Sequence, residues 1–346
     1  MRYLNWQDCL AEKGFTQIID VRSPAEFALD HVPGAVNLPV LNNDERAEVG
    51  RLYVQVSRYD ARRLGAAMVA RNVAAHLEGF LSPYPENARF LIYCWRGGQR
   101  SRAMATILHA VGWDVTVLAG GYKNYRTYVR EALGKVCPAL RVHILSGLTG
   151  SGKSLLLRHM AGQGGQVLDL EMLGRHRGSL LGEEPGEPQP TQKHFESLLL
   201  REIEKFDLTK PVWIEGESKR LGRLWLPGPL WEAMIASPVH ELEVLAEARA
   251  EFLVGGYGHF VAAPEALVEK LQTLKEACSA RQVAAWEELI RAGEWVAFVR
   301  SLLELHYDPV YLRCGDFLNP VSRHEMENFD PATLDRTAAA LVAAAG

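Results

Sequence analysis

The chain has 346 residues, 48% hydrophobic and 23% charged, with a formal net charge of −4, the composition of a globular protein long enough for two domains. No apolar run approaches the length of a membrane span, and the mixed start Met1-Arg2-Tyr3-Leu4-Asn5-Trp6-Gln7-Asp8 is not a signal peptide, so a soluble, cytoplasmic protein is expected. The five cysteines (Cys9, Cys94, Cys137, Cys278, Cys314) show no C-x-x-C spacing, which suggests neither a disulfide framework nor a zinc site.

In chain order, Gln17 to Val21 and Ala35 to Leu38 read as short strands. Between them Ser23-Pro24-Ala25-Glu26 has the form of a helix start, with Ser23 as cap, Pro24 in the first turn and Glu26 at the capping-box position. Asp20 at the strand end either orients the reactive loop or simply bonds to backbone, and the structural role is the expected one. Residues 44 to 80 read as helical, with Ala66, Val69, Val73 and Leu77 as the apolar stripe. Ser82-Pro83-Tyr84-Pro85 ends that segment.

An apolar run, Phe90 to Tyr93, then stops at Cys94-Trp95-Arg96-Gly97-Gly98-Gln99-Arg100-Ser101, and a helical pattern follows. In a strand–loop–helix turn of this kind the backbone N–H groups of Trp95, Gly97, Gly98, Gln99 and Ser101 can form an anion cradle. Arg96 and Arg100 add positive potential, and all of this favours a Cys94 thiolate. The other reading, a buried cysteine ending a core strand, accounts for neither the glycine pair nor the arginines. Val115 to Leu118 is a further strand, Gly120-Gly121 turns the chain, and a domain of residues 1–133 closes before a linker at 134–140.

The next domain, 141–244, opens on the strand Val142 to Ser146, followed by Gly147-Leu148-Thr149-Gly150-Ser151-Gly152-Lys153-Ser154, which fits G-x-x-x-x-G-K-[ST] at every fixed position. The glycines, with Ser151, let amides approach a di- or triphosphate; Lys153 supplies mobile charge, and the Ser154 hydroxyl is placed to ligate Mg2+. Whether the loop takes ATP, GTP or another diphosphate is open from the motif. Gln166 to Leu170 and Pro211 to Ile214 read as further strands of a doubly wound parallel sheet. Glu215 is the first candidate to hold a metal-bound water, Glu217 the second and Asp169 a weaker third; an ion pair with Lys219 or Arg220 is the plainer reading of Glu217. Arg175, His176 and Arg177, with the Gly- and Pro-rich stretch 182–190, read either as a substrate loop or as ordinary surface. Residues 245–346 read as a helical region, with Trp286 and Trp295 expected in its core.

Charge is uneven along the chain. From Arg46 to Arg102 there are ten arginines, no lysine and four acids, whereas from Glu241 onward seventeen acids face nine Lys or Arg. The basic stretch is either a solvated helix face or a surface that holds a polyanion against Cys94.

Asp20-Val21-Arg22-Ser23-Pro24-Ala25-Glu26-Phe27, His31-Val32-Pro33-Gly34-Ala35-Val36-Asn37-Leu38-Pro39, the Cys94 loop and Gly120-Gly121-Tyr122 together resemble the ordered signatures of rhodanese domains, with residues 44–80 as a helical insertion. That resemblance implies that Cys94 carries sulfur or selenium. Sulfur-carrying rhodaneses usually have four residues between the cysteine and the arginine, whereas here five separate Cys94 from Arg100. The wider loop is similar to those of phosphatases and arsenate reductases and suits a tetrahedral oxyanion. With the phosphate-loop domain and its Asp169-Leu170-Glu171, His176-Arg177-Gly178-Ser179 and Ile214-Glu215-Gly216-Glu217-Ser218-Lys219-Arg220, nearly the whole chain resembles the bacterial tRNA 2-selenouridine synthases. The resemblance implies replacement of sulfur by selenium in wobble 2-thiouridine of the tRNA anticodon arm. Selenophosphate is then the donor, Cys94 carries the selenium, geranyl diphosphate serves an S-geranylation step, and a selenophosphate-supplying enzyme is a possible partner. Two other classes stand beside it: a cysteine phosphatase, for which Trp95 to Gln99 offers no acid, and a sulfur carrier with a regulatory nucleotide-binding domain.

Overall fold

The computed structural model describes residues 1–176, 188–256, 261, 264–272, 278–314, 316–317 and 319–345. It divides into two compact units, Met1–Lys135 with Pro190–Arg201, and Val136–Gln189 with Glu202–Gly346. Among the described residues no helix is long and apolar enough to cross a membrane.

The first unit is a five-stranded sheet, β1 (Arg2–Leu4), β2 (Gln17–Asp20), β3 (Val36–Asn37), β4 (Arg89–Tyr93) and β5 (Asp114–Leu118), in the order β1-β5-β4-β2-β3. Every pairing is parallel. Helices cover such sheets on both faces, so central strands are apolar on both sides; Phe90, Leu91, Ile92 and Tyr93 of β4 are fully buried. The helices are α1 (Trp6–Glu12), α2 (Pro24–Leu29), α3 (Asn43–Gln55), α4 (Arg58–Glu78), α5 (Gln99–Val111) and α6 (Gly121–Val136). Helix α3 starts on a capping box between Asn42 and Glu45, and Ser57 caps α4 by accepting from the Asp60 amide. Gly65 lets the two approach, since a Cβ there would lie 3.3 Å from Val49. Val69, Val73 and Leu77 of α4 pack on the core as expected, but Ala66 faces solvent.

The second unit is again a parallel sheet: β6 (Arg141–Gly147), β7 (Gln166–Leu168), β8 (Pro211–Glu215), β11 (Val239–Glu243) and β12 (Ser322–Glu325), in the order β12-β11-β6-β8-β7. A small antiparallel ribbon, β9 (Arg220–Leu221) and β10 (Leu224–Trp225), lies apart from it. Helices α7 (Lys153–Gly162) and α8 (Leu170–Gly174) follow β6 and β7, and α9 (Gln192–Ile203), α10 (Gly228–Ile235) and α11 (Ala246–Gly256) come next in the chain. The C-terminal region is largely helical, yet it also supplies the edge strand β12. Trp286 is fully buried within a helical cluster that Trp295 packs against. In both units the ends of adjacent parallel strands bring loops together, which is where such sheets bind ligands.

Candidate active sites

In the first unit Cys94 directly follows β4 and is 4% exposed. Its Sγ accepts from the Gly98 amide at 3.2 Å and from the Ser101 hydroxyl at 3.3 Å. Burial works against the thiolate. The Ser101 hydroxyl, with the amides of Ser101, Arg96 and Gly98, outweighs it and brings the thiol below its ordinary value. Among the described residues the other buried thiols have no such donors: burial pushes Cys9 up to about 11 and Cys137 up to about 12. Among the described cysteines, Cys94 is thus the one whose surroundings favour the thiolate.

The glycine signature at 120–122 is explained by contact with this loop. Tyr122 donates its amide to the Cys94 carbonyl at 2.8 Å, and Lys123 donates to the Trp95 carbonyl at 3.1 Å. Gly121 has φ +57°, and a Cβ there would sit 2.3 Å from the Cys94 carbonyl oxygen. Gly97, with φ +65°, would meet the Leu118 carbonyl at 2.6 Å. Only glycine fits at either position. Trp95 is exposed and packs on Tyr122, with ring centroids 5.3 Å apart. Gln99 opens α5 with its side chain in solvent, and Arg96 is exposed.

Arg100 lies beside the cradle with its guanidinium held by Glu26, Nη1 to Oε2 at 2.8 Å. Arg46 of α3 reaches the same oxygen, also at 2.8 Å. Burial raises the Glu26 carboxyl, but Arg100, the Ser23 amide and Arg46 together bring it below the usual carboxylate value. Beneath the loop Asp20 has the structural role expected of it, forming a forked, fully buried pair with Arg22. The guanidinium of Arg22 lies 4.0 Å from the Tyr122 ring centroid. Tyr122 donates to Asp30 at 2.7 Å, and His194 stands 3.4 Å from the other Asp30 oxygen. Sequence reasoning assigned Glu26 only its capping role and missed Asp30 and His194. Glu26 carried a legible local signal; the other two carried none.

In the second unit the phosphate loop joins β6 to α7. Gly147, Gly150 and Gly152 all have positive φ, and at each a Cβ would clash, with Ser151, Leu253 and Phe329 respectively. Behind the loop the buried Arg249 donates to the Thr149 carbonyl at 3.0 Å and pairs with Asp308 at 2.7 Å. Lys153 Nζ donates to the carbonyls of Gly147 at 2.7 Å and Leu148 at 3.4 Å, folded back over its own loop. Ser154 donates to Glu171 at 2.6 Å, and the Glu171 amide donates to Glu215 at 2.8 Å.

The candidate carboxylates separate by role. Asp169 caps α8, accepting from the Met172 amide at 2.7 Å. Glu215 is fully buried with one oxygen unpartnered, and burial, then the nearby Asp169, Glu171 and Glu217, raises its carboxyl well above the ordinary value. Burial and Glu171 push Glu217 up to about 7 against the opposing Lys153. Glu171, not chosen from sequence although it lies in the quoted Asp169-Leu170-Glu171, is the carboxylate that touches the loop. Among the described residues no group of three His, Cys, Asp or Glu side chains converges to hold a metal ion. The Ser154 hydroxyl and Glu171 still fit a magnesium ion that takes its remaining ligands from phosphate and water. His176 is buried and its amide donates to the Glu171 carbonyl at 3.1 Å, while Arg175 is exposed with φ +49°. Arg177 and residues 182–187 lie outside the described residues.

Two family profiles match the chain: the rhodanese-like domain over residues 5–128 and the tRNA 2-selenouridine synthase AAA domain over residues 140–272. Among whole proteins, the chain is 33% identical to the tRNA 2-selenouridine synthase of Nitrosomonas eutropha, covering 83% of this chain and 75% of that one. It is 32% identical to that of Aeromonas salmonicida over 85% of this chain and 86% of the other. To that of Bdellovibrio bacteriovorus it is 33% identical, over 85% and 88%. With a cysteine cradle on one unit, a phosphate loop on the other and relatives similar over most of their length, the chain belongs to the tRNA 2-selenouridine synthase family.

Proposed function

We propose that the chain is a tRNA-modifying transferase that replaces the sulfur of wobble 2-thiouridine with selenium, using selenophosphate at Cys94 and geranyl diphosphate at the phosphate loop. The observation that carries this reading is the Cys94 thiol, lowered by donors converging on its sulfur, on a chain whose relatives are named as acting on tRNA. The five-residue spacing from Cys94 to Arg100 suits a phosphate-like donor. The cytoplasm is the proposed site of action, and an enzyme that makes selenophosphate the proposed supplier.

In the proposed sequence Lys153 exchanges its carbonyl contacts for the diphosphate, which the loop amides also hold. Magnesium, held by Ser154 and Glu171, would neutralise diphosphate charge. The thio sulfur attacks C1 of the geranyl chain, the C–O bond breaks, and diphosphate leaves. The S-geranyl group is then a leaving group on the base.

At the other site the Cys94 thiolate attacks phosphorus of selenophosphate, forming an S–P bond as the P–Se bond breaks with its electron pair on selenium. The released selenide attacks C2 of the base and geranyl thiolate departs; water then hydrolyses the S–P bond. Selenium in selenophosphate is already at the selenide level, so a selenosulfide on Cys94 would require a two-electron oxidant. Attack at phosphorus balances without one.

Omission of each co-substrate tests the sequence. Without geranyl diphosphate no selenium enters the tRNA, and without selenophosphate the S-geranyl nucleoside accumulates. Labelling of the phosphate loop by an ATP analogue, uncompeted by geranyl diphosphate, contradicts the assignment of that loop.

A further inference from the structure

We propose that the solvent face of helices α3 and α4 is the surface on which the first unit docks RNA, an inference that rests on the tRNA-modifying reading above. Helices α3 and α4 together hold six arginines and five acids, but four of the acids (Asp44, Glu45, Glu48 and Glu78) lie at the far ends, and from Arg51 to Leu77 there are five arginines and one acid, Asp60. Arg63 pairs with Asp60 at 3.5 Å, while Arg51, Arg58, Arg62 and Arg71, all exposed, have no acidic partner among the described residues. Between its arginines the outer face of α4 is alanine, at Ala66, Ala67, Ala70 and Ala74. Side chains this short leave the guanidiniums free to meet a phosphate backbone without obstruction.

The corner joining the helices adds a different kind of group. Tyr53 is 42% and Tyr59 74% exposed, and Arg58 lies 5.6 Å from the Tyr53 ring centroid. Exposed aromatic rings interleaved with arginine suit unstacked bases of an RNA loop, because stacking tolerates any base and the guanidiniums hold the adjoining phosphates. The positive charge extends from Arg58 to Arg71, about 20 Å at roughly 1.5 Å per residue. The large apolar side chains exposed on this pair lie at the corner, where Val54 and Val56 are 82% and 70% exposed. A charged track with one small apolar tip matches a nucleic-acid backbone better than a lipid plane.

This surface also has a physical link to the reactive loop. Arg46, in the first turn of α3, shares Glu26 with Arg100. The root of the hairpin therefore lies beside the Cys94 cradle, and its corner is about 14 Å further along α3.

The test is fluorescence anisotropy of an anticodon stem-loop RNA bearing 2-thiouridine, titrated with the full chain across a salt series. Combining Arg58→Glu, Arg62→Glu and Arg71→Glu is expected to weaken binding at least about 30-fold and to flatten the salt dependence. Lysine at the same three positions retains most of the affinity, and Tyr59→Ala weakens it about tenfold. An unchanged Cys94 alkylation rate shows that the fold is intact. Wild-type affinity in the glutamate variant overturns the surface while leaving the tRNA reading in place. No RNA binding by the wild type overturns both. Capture of the wild type but not the variant by phosphatidylglycerol vesicles, with RNA binding equal, assigns the face to lipid instead and also overturns the proposal.

Discussion

Glu26 of α2 holds Arg100 of the cysteine loop at 2.8 Å, across 74 residues of chain, and so fixes the position of its guanidinium. Because Arg46 shares that carboxylate, Glu26 joins the start of α2, the loop and the root of α3. Replacement by Gln leaves two guanidiniums short of a charged acceptor and should destabilise the first unit by about 2 kcal/mol at neutral pH. The folded carboxyl lies below its unfolded value, so this contribution is present above the unfolded pKa and lost as pH falls through the folded one. Urea unfolding of wild type and Glu26→Gln should differ at pH 7 and converge in strong acid. A gap that persists unchanged in acid contradicts the ion-pair account.

The thiol of Cys94 should react with iodoacetamide at a lower pH than ordinary thiols do. Ser101→Ala removes the foremost donor to Sγ and should move the midpoint of the rate–pH profile up by about one unit, the order of one charge-assisted hydrogen bond. An unshifted midpoint assigns Ser101 to packing alone.

Two glycines of this site, Gly121 and Gly98, make a discriminating pair. Gly121→Ala forces a Cβ to 2.3 Å from the Cys94 carbonyl at φ +57°, whereas at Gly98 nothing lies within 4 Å and φ is −98°. Thermal unfolding should report a loss of about 3 kcal/mol for the first and under about 0.5 kcal/mol for the second. Equal losses contradict the close packing of α6 against the loop.

Glu217, pushed up to about 7 by burial and Glu171, sits above its unfolded value, so the native state holds a proton that the unfolded chain has released. Its contribution to stability is fully present below the unfolded pKa and declines as pH rises to about 7. Glu217→Gln should therefore melt higher than wild type at pH 8 and close to it at pH 4. A variant less stable than wild type at pH 8 contradicts the repulsive cluster.

Much of this was legible in the sequence because apolar runs ending in glycine-rich turns announce parallel strands and the loops after them; β4 with Cys94 and β6 with Lys153 are such cases. Strand β12 was not legible, since Ser322-Arg323-His324-Glu325 has no apolar run and is defined by parallel pairing with β11. Nor does local pattern reveal that residues 190–201 group with the first unit, where Arg126 bonds Glu196 and Asp30 meets His194. Arg100 and Ser154 stand in the two loops that their motifs mark. Their partners Glu26 and Glu171 required three-dimensional contact to identify.

The most direct test is mass spectrometry of nucleosides from 2-thiouridine-containing tRNA incubated with the protein, selenophosphate and geranyl diphosphate, comparing wild type with Cys94→Ala. The account predicts 2-selenouridine with the wild type, and with Cys94→Ala its loss together with accumulation of the S-geranyl nucleoside. Undiminished 2-selenouridine with Cys94→Ala, or no modified nucleoside in either sample, would contradict it.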